Sequence, residues 1–320
     1  MNILTLDQIK KALANVDLLP AIEAGFAAYS QNGAVVPPVG ELILEQPYGE
    51  VHLKYGYIKA DDYYVIKIAS GFYDNPKLGL PSSSGLMLVF SQQTGQLQAV
   101  LLDEGHLTDV RTAAAGAVAA KYLAPAQVEQ IGILGTGMQA RLQLEHLAPI
   151  RDCRQVLVWG RTPDNLSAYS REIAEKGYQV KTTQDAAELA GACQLIVTTT
   201  ASTEPLLQAS AIQPGTHITA MGADMPHKQE LDPALFARAE LVVADSISQC
   251  LTQGDIHHGV AGGYIQAQEL VELGQIVAGD RPGRTGPDQI TIADLTGVAV
   301  QDIQIAKAVY EQAGKEKDTN

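Results

Sequence analysis

The glycine-rich stretch Gly135-Thr136-Gly137-Met138-Gln139-Ala140 has the residue types and the intervals to hold a phosphate-bearing ligand. The apolar run Ile131-Gly132-Ile133-Leu134 precedes it, and a helical stretch from Gln139 to Leu147 follows. In that setting Gly135 permits a tight turn and Gly137 lets the backbone approach a pyrophosphate. Ala140 keeps the helix close to a sheet. The free amides and partial positive charge at the helix start suit phosphates. GxGxxA spacing alone is common in turns; the strand before it and the helix after it make this a dinucleotide site.

The end of the second strand sets which dinucleotide fits. A carboxylate there would hold a ribose 2′-hydroxyl, whereas an arginine accommodates a 2′-phosphate. Here the chain reads Trp159-Gly160-Arg161-Thr162, with no acid before Asp164. That favours NADP(H) and leaves NAD(H) possible. Arg161 would stack on the adenine or pair the phosphate, and Thr162 would donate a hydrogen bond. Three other groups carry less. The histidine pair His257-His258 has no partner cluster, so no metal is assigned. Ser82-Ser83-Ser84 has no nearby base and reads as a loop or substrate-lining segment. Cys153, Cys193 and Cys250 are scattered and odd in number, which implies a reducing cytoplasm with no disulfide.

These groups need elements to hold them. In the first third, Tyr63–Ile68, Gly85–Phe90 and Leu97–Leu102 read as strands with irregular connections, and a helix runs from Thr108 to Leu123. From Gln130 the rhythm changes. Short apolar strands at 131–134, 156–159, 195–198, 218–221 and 241–244 alternate with helical stretches, as a parallel sheet covered on both faces requires. One more strand at 290–292 and a last helix from Val298 to Tyr310 follow, and that helix is expected to return to the first domain. Lys315 to Asn320 reads as a frayed polar tail. The fold class is therefore α/β: a doubly wound Rossmann sheet (113–295) inserted into an α+β substrate and dimerisation domain (1–112 plus 296–320).

The chain carries 22 basic against 36 acidic residues, a formal charge of −14, which opposes nucleic acid and anionic membranes as partners. Salt screens that field beyond about 10 Å, so local cations can still hold a small anion. No apolar run reaches the roughly 20 residues that span a bilayer. The first residues lack the basic start and apolar stretch of a secretory signal. A cytoplasmic location is expected.

Taken together the motifs resemble the ornithine cyclodeaminase/μ-crystallin family. They are Ile66-Lys67, Val110-Arg111-Thr112-Ala113-Ala114, the glycine turn, and Gly222-Ala223-Asp224-Met225-Pro226-His227-Lys228-Gln229-Glu230-Leu231, in order across nearly the whole chain. The resemblance implies that Lys67 and Arg111 bind a substrate carboxylate, that Thr112 and Lys228 touch the cofactor, and that Asp224 is an acid/base, with Lys67 able to share proton transfer. It also implies a homodimer. A guanidinium forks onto a carboxylate, and a desolvated lysine beside it can move a proton, so the chemistry agrees with those roles. Read singly, Arg111 could instead cap carbonyls, Lys67 could be a strand-face charge and Asp224 a turn former. The full cofactor-binding set expected is Thr112, Gly135, Thr136, Gly137, Met138, Gln139, Arg161, Thr162, Thr199, Met221, Gly222 and Lys228.

Departures from the family pattern bear on the substrate. Where ornithine-cyclising members resemble one another in carrying a glutamate, this chain has Lys54, which would repel an ammonium and attract a second carboxylate. Pro37-Pro38-Val39 stands where many members carry Pro-Pro-Arg. Further stretches, 71–81 and Gly254-Asp255-Ile256-His257-His258, look like the branch of ectoine-utilisation cyclodeaminase-like proteins and iminosuccinate reductases. The resemblance thus implies an imino-acid reductase acting on a dicarboxylic imine, iminosuccinate giving aspartate. The alternatives are a diamino-acid cyclodeaminase that releases ammonia and recycles NAD, and a non-catalytic NADP-binding protein like μ-crystallin.

Overall fold

In the computed structural model, which describes residues 1–72 and 74–318, two helices correct the reading of the first third as strands alone. They are α1 (Leu6–Leu13) and α2 (Leu18–Ser30). Thr5 opens α1, its backbone N–H donating to the Gln8 side chain at 3.0 Å, and Ile9 and Ala12 turn inward. In α2, Gly25 lies so close to another helix that a Cβ would stand 2.9 Å from the Gln304 side chain. Close helix contact requires small residues there, and it interrupts the apolar periodicity that sequence reading relies on.

The chain divides into two units, Met1–Thr112 with the residues from Val298 onward, and Ala113–Gly297. The first is built on seven strands: β1 (Asn2–Leu4), β2 (Ala34–Val35), β3 (Gly40–Glu45), β4 (Tyr48–Ile58), β5 (Tyr63–Gly71), β6 (Ser83–Ser91) and β7 (Leu97–Leu101). Their order is β1-β7-β6-β5-β4-β2, with β3 also on β4, and only β1–β7 is parallel. Ser83 and Ser84 belong to β6 and not to a loop, and Tyr73, part of the 71–81 stretch, lies outside the described residues. The C-terminal helix, Ala299–Asp318, packs on α1, α2 and strands β4 to β6. It runs eight residues beyond the expected end, so Lys315 to Asp318 are helical and not frayed; Thr319 and Asn320 lie outside the described residues.

Helix α3 (His106–Leu123) begins in the first unit and ends in the second. The second unit has an all-parallel sheet of β8 (Ile131–Leu134), β9 (Gln155–Trp159), β10 (Gln179–Thr183), β11 (Leu195–Thr198), β13 (His217–Ala220), β15 (Leu241–Ala244), β16 (Val271–Glu272) and β17 (Thr291–Asp294). A side sheet pairs β12 (Thr203–Leu207) with β14 (Gln229–Leu231). The main order is β10-β9-β8-β11-β13-β17-β15-β16. From β8 the chain winds outward through β9 and β10, then returns to β11 on the other side of β8. That reversal opens a crevice at the carboxyl ends of β8 and β11, where doubly wound sheets bind ligands. The late strand β17 enters between β13 and β15 and ends at Asp294. Strands β8, β11, β13 and β17 are buried at every position, as sheets covered on both faces demand.

Candidate active site and dinucleotide cleft

In the first unit, β5 buries only Val65 and Lys67, two residues apart and therefore on one face. Lys67 is 2% exposed, and its ammonium lies 3.2 Å from Asp302 on the C-terminal helix. Arg111, on α3, sets its Nε 3.0 Å from the same Asp302 oxygen and donates from a terminal nitrogen to Gln301 at 2.6 Å. Lys54 sits directly across from Lys67 in the β4–β5 register. The fold thus gathers three cations, Lys54, Lys67 and Arg111, around one carboxylate. Burial alone would raise the Asp302 pKa, but Lys67, Arg111 and Lys54 outweigh it and hold the group below its ordinary value. Burial, partly offset by Asp302 and reinforced by Arg111 and Lys54, pushes Lys67 down to about 7. Lys67 is therefore poised to give or take a proton near neutrality. Thr112 uses its hydroxyl on the Thr108 carbonyl, one turn back, at 2.7 Å.

Asp302 and Gln301 were missed by sequence reasoning. Their signal was faint but present: two polar residues, each 1% exposed, interrupt the apolar run Val298-Ala299-Val300 and Ile303 at a helix start. A buried charge asks for a partner.

In the second unit, Gly135 takes φ +116°, and a Cβ there would press on the Thr199 hydroxyl. Thr199 instead donates to the Leu134 carbonyl through both its N–H and its hydroxyl, at 2.9 and 2.8 Å, which ties the tips of β8 and β11 together. Gly137 caps helix α4 (Met138–Leu147), and the space its missing Cβ would fill is open. Met138 is exposed at the helix start, whereas Ala140 is fully buried against the sheet. The Gln139 side chain accepts from Gln143, whose amide also donates to the Met221 sulfur. Arg141 donates back to the carbonyls of Thr136 and Gly137 and pairs with Glu172 at 2.7 Å. The Gly135 amide donates to the Trp159 carbonyl at 3.0 Å, which anchors the turn to the neighbouring strand and leaves the start of α4 as its anion-facing end.

A cleft of about 290 Å³ opens here, and Gly135, Thr136, Arg161, Thr162 and Thr199 from the expected set line it. Thr162 is the N-cap of α5 (Pro163–Glu175), yet its hydroxyl makes no capping bond. Gln184 fixes the Arg161 carbonyl at 2.7 Å and accepts from the Trp159 indole at 3.0 Å. Asn165, Thr200 and Ser202 also line the cleft and were not anticipated. They stand on a helix start and a strand exit, where single-residue identity carries little signal. A tight glycine turn opening a helix and an arginine at the second strand's end fit a dinucleotide.

On the loop after β13, Asp224 accepts from Lys228 at 2.6 Å, with side chains 53% and 14% exposed. Two expected residues are thus paired with each other. His258 lies on helix α6 (Gly254–Ala261) and bonds the Lys228 carbonyl at 2.9 Å, while His257 bonds the Leu251 carbonyl. Among the described residues no group of three potential ligands could hold a metal, and no helix is long and apolar enough to cross a membrane.

Known proteins share this outline. The model of the ornithine cyclodeaminase/mu-crystallin family matches residues 1–317. An uncharacterised cyclodeaminase of Sinorhizobium fredii (strain NBRC 101917 / NGR234) is 43% identical over 98% of this chain and 96% of its own. The iminosuccinate reductase of Paracoccus denitrificans (strain Pd 1222) is 36% identical over 92% of this chain and 90% of its own. Its crystal structure with NAD+ superposes with a TM-score of 0.88 at 32% identity, covering 99% and 97% of the two chains. The Thermococcus litoralis Δ1-pyrroline-2-carboxylate reductase, solved with NADH and L-proline, gives a TM-score of 0.93 at 30% identity over 99% and 98%.

Proposed function

This chain belongs to the ornithine cyclodeaminase/mu-crystallin family, and from that premise we propose that it is a nicotinamide-dependent imino-acid reductase whose preferred substrate is a dicarboxylic imine. The observation that carries the reading is the excess of positive charge around Asp302: Lys54, Lys67 and Arg111 face one carboxylate. Such a cluster attracts anions and repels a substrate ammonium, and poor solvation strengthens both effects.

The favoured substrate is iminosuccinate, giving aspartate. Arg111 grips one carboxylate by its fork, and Lys54 draws the second. When bound, the reduced nicotinamide supplies the hydride that the C=N carbon gains. Lys67, at about pH 7 balanced between its two forms, supplies the proton that the nitrogen gains. Asp224, in contact with Lys228, orients water in the reverse direction. Holding imine and ring together converts a rare encounter into a near-attack geometry. NADP(H) is the proposed cofactor, with Arg161 and Thr162 at the start of α5 meeting the 2′-phosphate. Both solved neighbours described above carry NAD forms, so a preference for NADH is the competing outcome. The proposed partner is a second copy of this chain, since the β3–β4 hairpin leaves Leu42, Ile43 and Tyr48 exposed. Three free buried cysteines suit a reducing cytoplasm.

The test is spectrophotometric. NADPH and NADH are titrated separately, then their oxidation is followed with iminosuccinate, pyruvate plus ammonia or methylamine, cyclic imines and ornithine. Oxidation one for one with a dicarboxylic imine supports the reading. Proline formed from ornithine with no net cofactor change would sink it, and would identify a cyclodeaminase. In a wild type inactive on ornithine, Lys54→Glu is the change expected to create some of that activity.

A further inference from the structure

Three acidic side chains that the reaction does not use form a relay through the interior of the second unit. Asp294, at the end of β17, accepts the Ile256 amide at 2.7 Å and so holds the first turn of α6. On that turn, Asp255 accepts the amides of Glu230 and Leu231 through one oxygen, both at 2.8 Å, and so holds strand β14. On β14, Glu230 reaches the tips of the main sheet. One of its oxygens accepts the Thr198 hydroxyl at 2.6 Å and the Gly222 amide at 2.8 Å; the other accepts the Thr200 amide at 2.6 Å and the Thr200 hydroxyl at 2.7 Å. Each carboxylate grips the backbone of the element that bears the next, and Asp255, Glu230 and Asp294 are at most 1% exposed.

The far end of this relay coincides with the cofactor cleft. Thr199 and Thr200 line it, and Gly222 belongs to the glycine-containing turn after β13. At Gly222 a side chain would collide with both Thr200 and Glu230, so the turn is folded tightly over the carboxylate. Four donors converging on one buried group are more than packing requires. They fix the exits of two neighbouring strands in one conformation, and charge-assisted bonds are the strong kind.

We propose that Glu230 is a positioning residue for the dinucleotide: with Asp255 and Asp294 behind it, it sets the shape of the Thr199–Thr200 and Gly222 wall against which the cofactor lies. It touches no reacting atom and acts through those backbone groups. Burial raises the pKa of all three acids, and their mutual repulsion raises those of Asp255 and Asp294 further; that is the cost of placing them there. The inference rests on the dinucleotide reading of the cleft and adds a residue to it.

The experiment measures NADPH and NADH dissociation constants by fluorescence, together with thermal melts and steady-state kinetics, for the wild type, Glu230→Gln and Asp255→Ala. Glutamine keeps the size but turns an amide NH2 toward either the Gly222 or the Thr200 amide. The expected result is a cofactor Kd raised about tenfold or more in Glu230→Gln and severalfold in Asp255→Ala. Turnover at saturating cofactor should change less than Kd does. An unchanged Kd in folded Glu230→Gln, or equal losses in Kd and turnover, would overturn the proposal. Should neither variant fold, the pair Thr200→Val and Thr200→Ser decides. Serine keeps the hydroxyl donor and should restore what valine loses; equal affinities would overturn the idea. A wild type that binds no dinucleotide defeats the cofactor reading itself, whereas a binding wild type with unaltered variants defeats only the role of Glu230.

Discussion

On the proposed reading, the two units hold an anion in opposite ways. In the first, formal charges do the work: Lys54 and Lys67 from two strands and Arg111 from α3 face Asp302 on the C-terminal helix, with Lys67, Arg111 and Asp302 buried and Lys54 half-buried. In the second, the cleft is lined by Gly135 and Gly160, by Thr136, Thr162, Thr199 and Thr200, and by Arg161. Its buried acids, Glu230, Asp255 and Asp294, grip backbone and hydroxyl donors behind that wall. Concentrated charge gives strong attraction and a titrating lysine, and loses everything when one partner is removed. Distributed dipoles are individually weak, so single changes should erode binding by degrees.

The sharpest way to break this contrast is Arg111→Ala. It should lower kcat/KM for imine reduction by about a thousandfold, because a bidentate carboxylate grip is lost and the neighbouring charges are left unbalanced. Dinucleotide Kd measured on the same protein should move little; a comparable loss in both would mean the two regions do not divide the labour. Asp302→Asn comes next. It leaves two buried cations without their anion, and urea titration should show a loss of about 3–5 kcal/mol in stability. Activity should fall about a hundredfold.

A pH profile sharpens the same point. With Lys67 at about 7 as the proton donor, kcat/KM for reduction should fall tenfold per unit above that pH. For stability the sign is reversed. Lys67 titrates in the folded state below its ordinary 10.5, so the unfolded chain binds more protons between about 7 and 10.5, and stability should rise with pH across that window. A profile flat from pH 6 to 9 would remove Lys67 from the proton path. The smallest effect is expected in the distributed region: Arg161→Ala should shift the NADPH-to-NADH preference by about tenfold and leave turnover nearly intact. No shift would mean that Arg161 merely lies along the surface.

The same contrast accounts for what could be read from the amino-acid order. The glycine turn, its flanking strand and helix, and Arg161-Thr162 are local patterns, and the structure lines one cleft with residues from both. Strands β8, β9 and β11 were readable because a short, continuous apolar run between helical stretches suits little besides a fully buried strand. The partner of Lys67 and Arg111 was not, because Asp302 lies far along the chain on a helix whose start looks apolar. No short-range periodicity reports a contact between residues so distant in order. Helices α1 and α2 were overlooked for a different reason: α1 is only eight residues long, and α2 carries a glycine at a close crossing. Glu230 was visible within the Asp224–Leu231 motif, but nothing local distinguishes an acid that grips backbone from one that faces water.

The path of the chain also bears on biosynthesis. The stretch that builds the parallel sheet is continuous, whereas the unit holding the cations is interrupted by it and needs the C-terminal helix to close. On the ribosome the nucleotide-binding half can therefore mature while the earlier strands still wait for their cover, with the Lys67 strand lacking its counter-ion until that helix emerges. On the proposed division of labour, substrate recognition is the last capability a nascent molecule acquires, and a product cut short before the helix is expected to hold cofactor without turning it over.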